Sequence, residues 1–110
     1  MNGQVFGFKS MRKLPKKRDL SRVSELFRLL SEPTRLKILY SMLETEAQVG
    51  EIARLADMSV SAISHQLKLL REKRLVKSRR DGRRVFYSLD DYHIPALLAL
   101  AGEHSQEDDS

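Results

Sequence analysis

The stretch VGEIARLADMSVSAISHQLKLLREKRLVKSRRDGRRVFYSL, residues 49–89, changes rhythm along its length in a way that decides how the chain folds. Val49, Ile52, Ala53 and Ala56 recur at helical spacing and make a short helix. Asp57, Met58 and Ser59 then break the pattern as a tight turn. A second helix opens at Ser59 or Ser61, with Val60, Ile63, Leu67 and Leu70 expected on its buried side, since steps of three, four and three keep them in a narrow sector. Ser61, His65, Lys68 and Glu72 project the other way. From Val76 the period falls to two. Val76, Ser78 and Arg80 alternate with Lys77 and Arg79, and Val85 and Tyr87 alternate with Phe86 and Ser88 on the return. Asp81-Gly82 between them is the turn signal of a hairpin, because both residues tolerate positive φ.

The flanks extend this reading. Leu20, Val23, Phe27 and Leu30 mark a helix upstream. Ser31 is suited to cap a following helix and Pro33 to stand in its first turn, with Leu36, Leu39, Tyr40 and Leu43 as its apolar stripe. Residues 44–48 read as a polar link. Downstream, a last helix is expected from about Asp90 to Gln106, where Ile94, Leu97, Leu98, Leu100 and Ala101 give a broader apolar surface than one small domain needs. That excess favours helix–helix pairing between two copies. The fold class expected is therefore mostly α with a two-stranded β-hairpin, a winged helix-turn-helix with flanking dimerisation helices. Residues 1–17 are expected as a flexible basic arm, 18–107 as the domain, and 108–110 as a frayed acidic tail.

Composition narrows the function. A chain of 110 residues with 41% apolar residues builds one compact core. It contains no cysteine, which excludes disulfides, thiolate metal sites and thiol redox chemistry. No apolar run approaches the ~20 residues that span a bilayer, and no export signal is expected, because the basic start runs into Leu14, Pro15 and more charge. These features fit a cytoplasmic protein. No Gly-rich phosphate loop or nucleophile triad is present, so an enzyme is not expected.

The charge is uneven. Residues 1–89 hold all 20 Lys and Arg against 9 Asp and Glu, a balance of +11, while residues 90–110 hold 6 acids and no Lys or Arg. A solvated charged face would explain such a run, but its position favours a polyanion partner. A helix with small residues at its start and hydrogen-bonding groups on its free side suits a ~12 Å major groove. Ser61, Ser64, His65 and Gln66 are the groove-facing candidates, with Gln66 also able to turn sideways. Arg83 and Arg84 are the wing contacts expected, and Lys68, Arg79 and Arg80 are phosphate candidates. The partner these residues lead one to expect is double-stranded DNA.

Ser-His-Gln-Leu followed by Leu-Leu-Arg, then Leu-Val and a basic hairpin ending in Tyr-Ser-Leu, resembles the ArsR/SmtB family of winged-helix repressors, many of which sense metals. The resemblance runs over residues 20–107 through LLSEPTRLKILYSML (29–43), the quoted stretch, and DYHIPALLALAGEHSQE (91–107). It implies a homodimer whose outer helices form much of the dimer contact, each reading helix entering one half of a palindrome. It also implies that a ring nitrogen of the residue matching His104 bonds to the reading-helix carbonyl at the position matching His65; His65 is not itself an expected ligand.

The three histidines are His65, His93 and His104. His93 and His104 lie 11 residues apart, which puts them on one helix face but about 16 Å apart along the axis. A zinc–nitrogen bond is about 2.0–2.1 Å, so one ion cannot take both from the same straight helix. Two antiparallel copies bring Asp91 and His93 of one subunit to His104 and Glu107 of the other, with two equivalent sites by symmetry. Two imidazoles and two carboxylates suit tetrahedral Zn(II), with Co(II) a plausible substitute. Asp-x-His with His-x-x-Glu is similar to the family's intersubunit zinc site, which carries over to Asp91, His93, His104 and Glu107. Such zinc would release the repressor from its operator. A metal-independent regulator and a dimer with purely structural zinc stand as the alternatives. Pro95 suits the last helix only if that helix starts late enough, and Gly102 costs ~1 kcal/mol of helix propensity beside His104.

Overall fold

The computed structural model describes residues 13–107 and divides into two compact units, meeting at Glu32 and Pro33. Among the described residues the first holds one helix, α1 (Lys17–Leu30). It starts inside the stretch expected as an arm; the rest of that arm up to residue 12, and the tail 108–110, lie outside the described residues. Leu20, Val23 and Phe27 are exposed along α1, with Phe27 at 54%. Ser31 does not cap the next helix. It closes α1, where its hydroxyl donates to the Arg28 carbonyl at 2.9 Å and its N–H reaches the same oxygen at 3.3 Å. A hydroxyl donor can satisfy a helix-end carbonyl as readily as its oxygen can accept at a helix start.

The second unit runs α2 (Pro33–Tyr40), α3 (Val49–Ala56), α4 (Val60–Glu72), β1 (Val76–Asp81), β2 (Arg84–Leu89) and α5 (His93–Glu107). Its core is aliphatic. Ile38 and Leu39 of α2, Ile52 and Ala56 of α3, and Ile63, Leu67 and Leu70 of α4 are fully buried. Leu75, Val76 and Leu89 carry the core into the base of the hairpin, and Ile94 and Leu98 seal it from α5. Burying each of the leucine, isoleucine and valine side chains among these stabilises the fold by roughly 1.5–3 kcal/mol.

The turn between α3 and α4 has a definite cause. Asp57 takes left-handed geometry at φ 56°, and the Met58 N–H bonds back to the Ala53 carbonyl at 3.0 Å. This closes α3 in the manner of a Schellman motif, with aspartate in the place glycine usually takes. Two residues later Ser59 caps α4, its hydroxyl oxygen accepting the Ala62 N–H at 3.1 Å. Val60, expected in the core, is instead 51% exposed. It stands in the first turn of α4, at the edge of the buried sector, and among the described residues it keeps half of its surface open.

The hairpin is antiparallel, with Val76 opposite Leu89, Arg79 opposite Phe86 and Asp81 opposite Arg84. Its two-residue loop is therefore Gly82-Arg83, one step later than Asp81-Gly82. Gly82 sits at φ 65° while Arg83 does not take positive φ, as in a turn that needs glycine only at its first central position. The link expected as merely polar also joins the sheet. Ala47 is buried and exchanges backbone bonds with Tyr87 at 2.9 and 2.8 Å.

The last helix begins at His93, three residues later than expected. Asp91 accepts the His93 N–H at 2.8 Å, and the Tyr92 carbonyl accepts the Ala96 N–H at 3.2 Å. Pro95 thus falls in the first turn, where its missing N–H leaves no helix bond unmade. Among the described residues, no helix is long and apolar enough to cross a membrane.

Candidate nucleic-acid interface and metal-ligand helix

Alternation of burial along α4 defines its free side. Ile63, Leu67 and Leu70 face the core, while Ser61, Ser64, His65 and Lys68 are exposed. Taken at 100° per residue, Val60, Ser64, Lys68, Ser61 and His65 occupy one arc of about 140°. Gln66 departs from this set. It is half-buried, and its Oε1 is enclosed without a hydrogen-bond partner among the described residues. The side chain able to point sideways does so, leaving three polar residues and Lys68 on the open arc.

The wing arginines are placed differently from one another. Arg80 is exposed on β1, Arg83 is exposed in the loop, and Arg84 opens β2 opposite Asp81. Arg79 is engaged. Its guanidinium lies 4.5 Å from the centre of the Phe86 ring on the opposing strand and donates twice to Glu46, through Nε at 2.8 Å to Oε2 and through Nη2 to Oε1. A forked arginine matches a carboxylate in this way and can stack on an aromatic face at the same time. The bond from Arg79 holds the Glu46 carboxyl below the usual carboxylate range, and the same bond raises the Arg79 guanidinium. Glu46 precedes Ala47, the residue bridged to β2, so the pair braces the outer wing strand across β2 to the α2–α3 link. Nothing in the local sequence marks Glu46, because its partner is 33 residues away.

The four ligand candidates occupy the two ends of α5. Asp91 and His93 flank its start, and His104 and Glu107 stand at its close, all of them exposed. The helix between them is continuous, which keeps the two pairs roughly 16 Å apart in one chain. Among the described residues, no three ligand-type side chains of a single chain converge on a metal position. Within the first pair the geometry is close. His93 Nδ1 lies 3.5 Å from Asp91 Oδ1. Tetrahedral ligands at 2.0–2.1 Å from zinc stand about 3.4 Å from one another, so these two atoms already sit near one tetrahedral edge. The His93 N–H donating to Asp91 is the main reason the Asp91 carboxyl lies below its ordinary range, against partial desolvation. Such a carboxylate keeps its negative charge throughout the ordinary carboxylate range and above it.

Only half of the broad apolar surface of α5 is used within the unit. Ile94 and Leu98 are buried, whereas Leu100 is 59% exposed and Ala101 is open. On the buried side the Tyr40 hydroxyl donates to the Leu98 carbonyl at 2.7 Å and lies 3.4 Å from where a Cβ on Gly102 would stand.

Comparison with known proteins bears on these surfaces. Residues 32–78 match the family described as bacterial regulatory protein, arsR family. The chain is 42% identical over 87 residues to a transcriptional repressor SmtB homolog from Synechocystis sp., covering 79% of this chain and 66% of that protein. It is 38% identical over 97 residues to a cadmium resistance transcriptional regulatory protein CadC homolog from Staphylococcus aureus, covering 83% of this chain and 80% of the relative. Among solved structures, the homodimeric winged helix-turn-helix DNA-binding domain Mb0332 from Mycobacterium bovis superposes with a TM-score of 0.75 at 27% identity, covering 89% of this chain and 93% of that one.

Proposed function

Because the chain belongs to the ArsR family of bacterial regulatory proteins, we propose that it is a metal-responsive transcriptional repressor that binds palindromic operator DNA as a homodimer and is released by Zn(II), for which Co(II) can substitute. The observation that carries the metal reading is the separation of two ligand pairs at opposite ends of one unbroken helix, each too small a set to hold an ion alone. Two antiparallel α5 copies supply Asp91 and His93 from one protomer and His104 and Glu107 from its partner. The exposed apolar residues of α1 and α5, taken separately, support pairing of the outer helices.

In the DNA-bound state the two α4 helices occupy successive major-groove faces of a palindrome, with Ser61, Ser64 and His65 toward base edges and Lys68, Arg80, Arg83 and Arg84 toward phosphates. Bound metal supplies a cross-link between protomers. Its effect on DNA follows only if the cross-linked dimer holds the reading heads at another spacing or stiffness, so that DNA and metal oppose each other by an equal factor. The relatives' names support a metal-linked repressor, and the nitrogen and oxygen donors of this chain favour zinc over a thiolate-loving ion. The test is a DNA titration of the chelator-treated protein with and without saturating Zn(II), repeated for His104→Ala. Zinc should weaken DNA binding in the wild type alone. Equal affinities with and without zinc would rule out regulation through this site, and unfolding on chelation would make the metal structural.

A further inference from the structure

We propose that Val60 reads a thymine methyl group in the major groove, a specificity contact that rests on the DNA-binding reading above. Val60 is the first residue of α4 and is 51% exposed, although its spacing places it beside Ile63 and Leu67. A lone exposed aliphatic residue is ordinary on a protein surface. The position of this one is not. It lies on the same open arc as Ser61, Ser64, His65 and Lys68, beside a wing carrying Arg80, Arg83 and Arg84.

Three physical arguments favour thymine. Side chains on a helix tilt toward its N-terminus, so the valine methyls point beyond the start of α4, the end that enters the groove. Ser59 and Ser61 on either side are small, so they hold no bulk between Val60 and a base pair. In the major groove only thymine offers an apolar projection, its C5-methyl, whereas the other base edges present donors and acceptors that a valine cannot satisfy. The branched side chain also has little χ1 freedom to lose on contact.

The experiment begins with a duplex selected from a randomised pool by the full-length protein. The same duplex is then made with every thymine replaced by uracil, which removes the methyl and keeps the pairing. Burying one methyl is worth about a fourfold change in affinity, and two reading heads give about fifteenfold. The wild type should therefore lose about fourfold to fifteenfold on the uracil duplex. Val60→Ala should bind the thymine duplex more weakly and lose less than about twofold on changing to uracil. Alanine is the strongest helix former, so this variant keeps α4 intact. A wild type indifferent to the replacement, or a penalty of equal size in both proteins, overturns the assignment while leaving DNA binding in place. Failure to enrich any duplex overturns both.

Discussion

Arg79 and Arg83 stand on the same hairpin, and they should fail in different ways when removed. Arg83 is exposed in the loop, whereas Arg79 is held by Glu46 and stacked on Phe86. A phosphate contact releases counterions, and its loss shallows the dependence of log affinity on log salt by about 0.9 per phosphate, or about 1.8 for two wings of a dimer. Arg83→Ala should therefore cost most at low salt, with the ratio of wild-type to variant affinity shrinking about twelvefold between ~50 and ~200 mM salt. Arg79→Ala should lower affinity by loosening the wing, with a salt slope close to that of the wild type. Glu46→Ala provides a test of sign. If Arg79 is a brace, losing Glu46 weakens DNA binding just as losing Arg79 does. If Arg79 serves phosphate, removing Glu46 frees the arginine, tightens binding and steepens the slope. Fluorescence anisotropy on one duplex at several salt concentrations reads all three variants. Opposite effects of Arg79→Ala and Glu46→Ala, or a slope loss for Arg79→Ala equal to that of Arg83→Ala, would refute the brace.

Gly102→Ala should stabilise the protein by about 1 kcal/mol, since alanine favours helix and its Cβ would meet the Tyr40 hydroxyl at an ordinary 3.4 Å. Thermal unfolding at a fixed protein concentration should show the midpoint rising by several degrees, and a fall would mean that Tyr40 cannot accommodate the methyl. Ser59→Ala removes the oxygen that accepts the Ala62 N–H and should cost about 1 kcal/mol in urea unfolding; an unchanged midpoint would show that water caps α4 equally well. Glu46 has a depressed carboxyl, so its contribution is present above the ordinary carboxylate range and is lost as pH falls through its folded value. Hydrogen-exchange protection of the wing amides, corrected for intrinsic rates, should therefore drop as pH is lowered through and below the ordinary carboxylate range. Glu46→Gln should lack that drop, and a wing equally protected throughout would count against the pair.

Local patterns settled much of this molecule in advance. The helical stripe Ile63, Leu67, Leu70 and the period-two run from Val76 are short-range signals, and hydrophobic burial with backbone hydrogen bonding leaves them few alternatives, whereas the start of α4 stayed open between Ser59 and Ser61 until the Ala62 N–H bond to Ser59 decided it. The separation of His93 from His104 along α5 was equally legible, because helix geometry converts 11 residues into a distance. Other features needed the chain to be folded. Val60 fits the apolar period yet remains exposed, since periodicity gives a direction around the helix and not the presence of a neighbour to cover it. The turn moved by one residue because strand pairing, from Val76 opposite Leu89 to Asp81 opposite Arg84, decides which two residues remain for the loop. Ser31 faced a choice between two helix ends, and the geometry at the Arg28 carbonyl decided it. The Arg79–Glu46 brace and the Ala47–Tyr87 bridge join residues more than thirty positions apart. Such contacts depend on side-chain reach and strand adjacency in space, which no local pattern encodes.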